Sequence, residues 1–244
     1  ALLVSLPYLV WVVGQGYTRQ AGAIGFLLWA ISGIGTRSIT HYYLLSIMSV
    51  LFHKTAVILL PFGIFTTGKR FSLEMLLVCL SFLIFSYFIF DVFLSDWLES
   101  MLSSYLVVQE AGTSSSGATV RLTMTILSAL GVLFIINQLK LTSSEKMFWF
   151  FFSFSAVLLL LLAFFLPITI VDRMGLYWLP VQIFFLSHLP TILKGNSVAS
   201  RNLVVLGIVL FSASVQWVWL FFAKSAFMWI PYRFFLWELI WSSI

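Results

Sequence analysis

Charge is the scarcest feature of this chain. Only 9% of its 244 residues are Asp, Glu, Lys or Arg, where a soluble domain carries about a quarter. With 61% hydrophobic residues and a mean hydropathy of +1.09, no soluble core could hide the apolar surface, which leaves an integral membrane protein. The single cysteine, Cys79, lies in an apolar run, so an intrachain disulfide is excluded and no metal-ligand cluster surrounds it. The 13 basic residues outnumber the 8 acidic ones but form no stripe or recognition motif, so no nucleic-acid partner is expected. Walker loops and HExxH, GxSxG or CxxC patterns are absent. So is the Asp-rich loop of a metal-dependent prenyl or phosphosugar transferase, and neither a metal nor a cofactor is expected. The chain opens inside an apolar stretch with neither Met nor a basic flank, and is read as lacking its N-terminal spans.

What the chain does have is apolar runs long enough for a bilayer, which needs about 20 residues of helix. Candidate spans cover 1–14, 20–35, 39–66, 71–93, 118–139, 147–167, 174–192 and 202–223. The aromatic stretch at 227–241 is short and amphipathic and reads as an interfacial or end helix. The runs are continuously apolar rather than alternating, which favours helices over barrel strands. The expectation is therefore all-α: one polytopic transmembrane domain over 1–244, with an external loop at 91–117. The 39–66 run is too long for one simple span and carries His53 and Lys54 near its middle. It is either two shorter helices meeting at His53, as broken helices do where they line a cavity, or one long tilted helix.

Basic residues set the orientation. Lys69 and Arg70, Lys140 and Lys146, and Lys194 and Arg201 fall between alternate pairs of spans, which the positive-inside rule makes cytoplasmic. The 91–117 loop holds Asp91, Asp96, Glu99 and Glu110 and no Lys or Arg, and fits the opposite side.

A second set of cations then stands out. Arg121, Arg173 and Arg233 fall on the outer face, where the rule expects few; Arg19 joins them if the chain breaks at His53 and faces the cytoplasm if it does not. Each alone could snorkel or pair with a carboxylate, as Arg173 beside Asp172. As a group they suit a shared anion, because a planar guanidinium grips phosphate through two parallel hydrogen bonds. His53 is a candidate general base or hydroxyl-orienting group, and Asp172 could orient a sugar hydroxyl. Tyr177, Trp178, Trp229 and Tyr232 lie near these arginines in the sequence, where rings could stack on sugars; Gln20 and Lys54 adjoin Arg19 and His53. His41 and His188 receive no role.

Several stretches together resemble a known family. YTRQAGAIGF at 17–26 and LFHKTAVILLPF at 51–62 are followed by GATVRLTM at 117–124, DRMGLYW at 172–178 and WIPYRF at 229–234. The set resembles the bacterial O-antigen and exopolysaccharide repeat-unit polymerases (Wzy-type, EpsG-like). The pairing of an RQ-x-x-A helix start with a downstream FH-x-(S/T)-A is its most specific part. The family's N-terminal Gly, Asp and Tyr motif has no match. The resemblance implies a multi-span bundle like the lipid-sugar-using (GT-C-like) glycosyltransferases, in the bacterial inner membrane with its active site facing the periplasm. It implies that repeat units carried on undecaprenyl pyrophosphate are polymerised without a metal, with a chain-length regulator protein as a further partner. On that reading His53, Asp172 and Arg173 are catalytic. Arg19, Gln20, Lys54, Arg121, Tyr177, Tyr232 and Arg233 bind substrate. The alternatives are an O-antigen ligase that delivers glycan to lipid A core and a lipid-linked oligosaccharide flippase, which would need more charge at mid-membrane and internal repeats.

Overall fold

The computed structural model describes residues 6–68, 99–100, 103, 117–193 and 198–222. Tyr232, Arg233, Trp229 and the expected segments at 71–93 and 227–241 lie outside the described residues, as does nearly all of the 91–117 loop. Every regular element among the described residues is helical. The chain opens with α1 (Leu6–Val13), a wide π-type helix, and one further turn, Gly14–Gly16. Tyr17 then leaves helical geometry at φ −129° and ψ 53°, and α2 (Thr18–Ser32) starts anew. A tight turn leads to α3 (Ile39–Phe52), which runs back along α2: Ser49 donates to the Ala23 carbonyl at 2.7 Å.

The long 39–66 run is broken where the sequence places His53. That residue is extended, at φ −150° and ψ 115°. The chain resumes as α4 (Lys54–Thr67), a helix of 3-10 type with Pro61 inside it. Helices this tight seldom run beyond a turn or so. Here α4 doubles back on α3 and is clamped by buried tyrosines. Tyr42 donates to the Leu59 carbonyl at 2.9 Å, and Gly63 sits so close to the Tyr42 and Tyr43 rings that a Cβ there would lie 2.6 Å from Tyr43. Of the two readings of this run, two helices meeting at His53 is the one found, folded into a hairpin, and the single tilted helix is not.

The second half follows as α5 (Ala118–Ile135), α6 (Ser143–Leu162), α7 (Ile168–Gly175), α8 (Leu179–Ile192) and α9 (Val198–Phe222). The α6 start lies before the expected 147 because Thr142 and Glu145 cap it reciprocally. The expected span at 174–192 is two helices joined by a 3-10 turn, Leu176–Trp178. Among the described residues, two stretches are by themselves long and apolar enough to cross a bilayer: Ala118–Gln138, which joins α5 to the turn after it, and α9.

Aromatic rings fill the centre. Phe62 meets Phe152 edge-on with centroids 5.1 Å apart, Phe152 stacks on Trp178, and Tyr42 meets Phe148 at 5.9 Å. Apolar side chains are equally plentiful outside: Phe134, Phe165 and Leu51 are more than 70% exposed. Apolar inside and apolar outside is the pattern of a chain solvated by lipid rather than water.

The two ends differ. At one end, Gly35 takes φ +81° against Thr142 and Gly68 takes φ +66° against Ser144, where any side chain would collide. This packs the turn that holds Arg37 and the end of α4 against the start of α6, beside Lys140 and Lys146, as the basic end of the described residues. From it α2 and α3 extend about 22 Å and α6 about 30 Å at 1.5 Å per residue. On helix length the breaks at Tyr17 and His53 therefore fall short of the far end of α6, and the polar region where they meet the α7–α8 junction is here termed the recess.

Candidate active site

The recess is where three interruptions of the backbone meet. One is the Tyr17 break, the second the His53 break, and the third the α7–α8 junction around Gly175. Each brings polar side chains to membrane depth, where lipid tolerates irregular backbone only against protein or a water-filled cavity. The directions of the helices matter too. The first turns of α2, α4 and α5 all open toward this end, so their unpaired N–H groups and the positive ends of their dipoles converge here.

Arg19 in the first turn of α2 and Arg173 near the end of α7 are both exposed. The start of α2, through Tyr17 and Gln20, touches Arg173, and His53 bonds Tyr177 four residues further along, which brings the three segments together. Arg173 is held from two sides. Its guanidinium carbon lies 5.3 Å from the centre of the Tyr17 ring, in cation–π geometry, and its carbonyl accepts from Gln20 Nε2 at 2.6 Å. Gln20 is only 4% exposed, so it ties α2 to α7 and leaves its neighbour Arg19 to face the recess. The broken helix thus brings Arg19 to the end that holds Arg121 and Arg173, opposite the basic turns.

Arg121 is engaged differently. Its Nε donates to Asp172 Oδ1 at 2.8 Å and its Nη2 to Oδ2 at 2.5 Å. The sequence suggests Arg173 as the partner of Asp172, by adjacency. On a helix, however, neighbours in sequence point about 100° apart, and Asp172 turns inward while Arg173 turns out. Both carboxylate oxygens are occupied, so Asp172 anchors α7 to α5.

His53 lies half-buried at the break. Its Nδ1 is 2.6 Å from Thr55 Oγ1 and 3.0 Å from the Tyr177 hydroxyl, and those two oxygens are 3.0 Å apart. Lys54 beside it is exposed. Tyr177 is fully buried, so it offers its hydroxyl to His53 and Thr55 and has no open ring face. Trp178 is a core residue that donates to the Phe152 carbonyl and to Ser155. Neither therefore offers the sugar platform anticipated from the sequence. Tyr17 and Thr55 were missed, although both stand inside the quoted motifs, two residues from Arg19 and from His53. Among the described residues no three His, Cys, Asp or Glu side chains gather as metal ligands would.

The described residues, all-helical with apolar flanks, have the character of an α-helical membrane protein. A model of the EpsG family matches residues 1–234, and the chain belongs to that family. Membership assigns it a polymerising, glycosyltransferase-type role in exopolysaccharide or O-antigen synthesis. No curated protein and no solved structure gives a significant match.

Proposed function

We propose that the chain polymerises repeat-unit oligosaccharides carried on undecaprenyl pyrophosphate, at the periplasmic face of the bacterial inner membrane. The observation that carries this reading is the meeting of the segments that hold Arg19, Arg173 and His53, tied by Gln20 to Arg173, Tyr17 to Arg173 and His53 to Tyr177, at the end opposite the basic turns. The positive-inside rule puts those turns in the cytoplasm and the recess outside.

In the reaction, the anomeric carbon of the growing glycan leaves its pyrophosphate oxygen and bonds to a hydroxyl oxygen of the incoming unit. Negative charge grows on the departing pyrophosphate. Arg19 and Arg173 take its oxygens, helped by the converging helix N-termini; preorganised donors of this kind contribute roughly 3–4 kcal/mol each. His53 meets the reacting sugar, Lys54 lies at the rim, and Arg121 with Asp172 fixes the wall between α5 and α7. Tyr232 and Arg233 remain proposed contacts from the sequence, and a chain-length regulator a proposed partner. The apolar flanks suit the polyprenyl chain.

The test is polymerisation in vitro with a purified lipid-linked repeat unit. A ladder of products of increasing length is expected. A single transfer to another acceptor, or no transfer by folded protein, would overturn the reading.

A further inference from the structure

The His53–Thr55–Tyr177 trio carries an inference about where the histidine holds its proton. Three atoms form a closed triangle: Nδ1 of His53, Oγ1 of Thr55 and the hydroxyl oxygen of Tyr177, with sides of 2.6, 3.0 and 3.0 Å. Among the described residues, none of the three makes any other side-chain hydrogen bond. Tyr177 is 0% exposed, so its proton has no water to reach. A buried hydroxyl proton left without an acceptor is costly.

Two hydroxyls supply two protons, and the triangle can take both only if Nδ1 accepts one of them. Tyr177 donates to one neighbour, and the relay ends on a bare Nδ1 lone pair, most directly as Tyr177 to Thr55 to Nδ1. A proton on Nδ1 would put three protons among three atoms and leave one without an acceptor inside the trio. Bonding at one ring nitrogen sets the state of the other.

We propose that neutral His53 carries its proton on Nε2 and presents it to the recess as a hydrogen-bond donor, with Thr55 and Tyr177 as the residues that lock this tautomer. In the reaction proposed above, on which this role rests, Nε2–H donates to an oxygen of the bound sugar or pyrophosphate. A ring already protonated at Nε2 takes no proton there from the acceptor hydroxyl. That proton passes instead to the departing pyrophosphate, whose oxygen gains charge as its bond to the sugar breaks.

The tautomer is tested without any activity. Histidine 15N spectra of the full chain in lipid at neutral pH contain only three histidines, and the His53 signals are identified by their loss in His53→Gln. An unprotonated Nδ1 and a protonated Nε2 are expected in the wild type, and a Thr55→Val, Tyr177→Phe double variant should move population to the other tautomer. A protonated Nδ1 in the wild type overturns the assignment, whatever the substrate proves to be. The role is tested by exchange. Gln places an N–H near the Nε2 position but cannot act as a base, so His53→Gln should recover most of the 100-fold or greater loss, roughly, seen in His53→Ala. Equal inactivity of the two, with both at wild-type levels in the membrane, overturns the donor role. Polymerase activity of the wild type itself is read separately.

Discussion

Arg121 and Asp172, 51 residues apart, meet fork to fork across the wall of the recess. The carboxylate side chain is 9% exposed and the guanidinium 22%. Removing one partner leaves the other charge stranded at low dielectric. Asp172→Ala should cost about 2–4 kcal/mol, below the fully buried case because Arg121 keeps some access to solvent. The Arg121→Ala, Asp172→Ala double variant should lose less than the two singles added together. Thermal unfolding in detergent checks both, and strict additivity would mean that the pair is not coupled.

Arg173 should respond to geometry as well as charge. Lys keeps the charge but loses the fork and the flat contact with Tyr17. Glycan chain length should therefore fall in the order wild type, Arg173→Lys, Arg173→Ala, the last by about 100-fold or more in rate. A lysine variant indistinguishable from wild type would show that a point charge is enough.

Sidedness can be read directly. In a Cys79→Ser background, Arg19→Cys should react with a membrane-impermeant thiol reagent added outside intact spheroplasts, and Lys140→Cys only after the membrane is opened. Labelling of both from one side would sink the topology, and with it the place of Arg19 in the site.

The α3–α4 hairpin depends on one buried bond. Tyr42→Phe keeps the ring but strands the Leu59 carbonyl, which should cost about 1–3 kcal/mol. Gly63→Val, pressed against the Tyr42 and Tyr43 rings, should lower the amount of folded protein further. A Gly63→Val protein that melts with the wild type would mean that the rings yield.

Much of this was legible in the sequence because lipid imposes length. A run from 39 to 66 cannot cross simply, and His53 marks where it breaks. The loop cations gave the basic end, since their spacing tracks chain direction. What the sequence hid were contacts between distant segments. The partner of Asp172 is set by how α5 packs on α7, and adjacency pointed to the wrong arginine. Tyr177 and Trp178 read as rings that could stack on sugars, yet a tight turn between α7 and α8 places both in the core. Thr55 carried a signal inside FHKTA, but its meaning needed the Tyr177 hydroxyl from 122 residues away.

The doubled-back α3–α4 hairpin also bears on how the chain enters the membrane. Its first arm is about 21 Å long, too short to cross a hydrocarbon core of roughly 30 Å unaided. Its tip carries His53 and Lys54, which resist leaving water. Such an arm has little reason to settle in lipid on its own as it emerges from the ribosome. It would wait for the second arm and for α2, and the three would be released together as one unit. Insertion of this region is therefore a collective event, and a substitution that weakens the hairpin should appear first as failed integration and degradation of the nascent chain, before it appears as a slow enzyme.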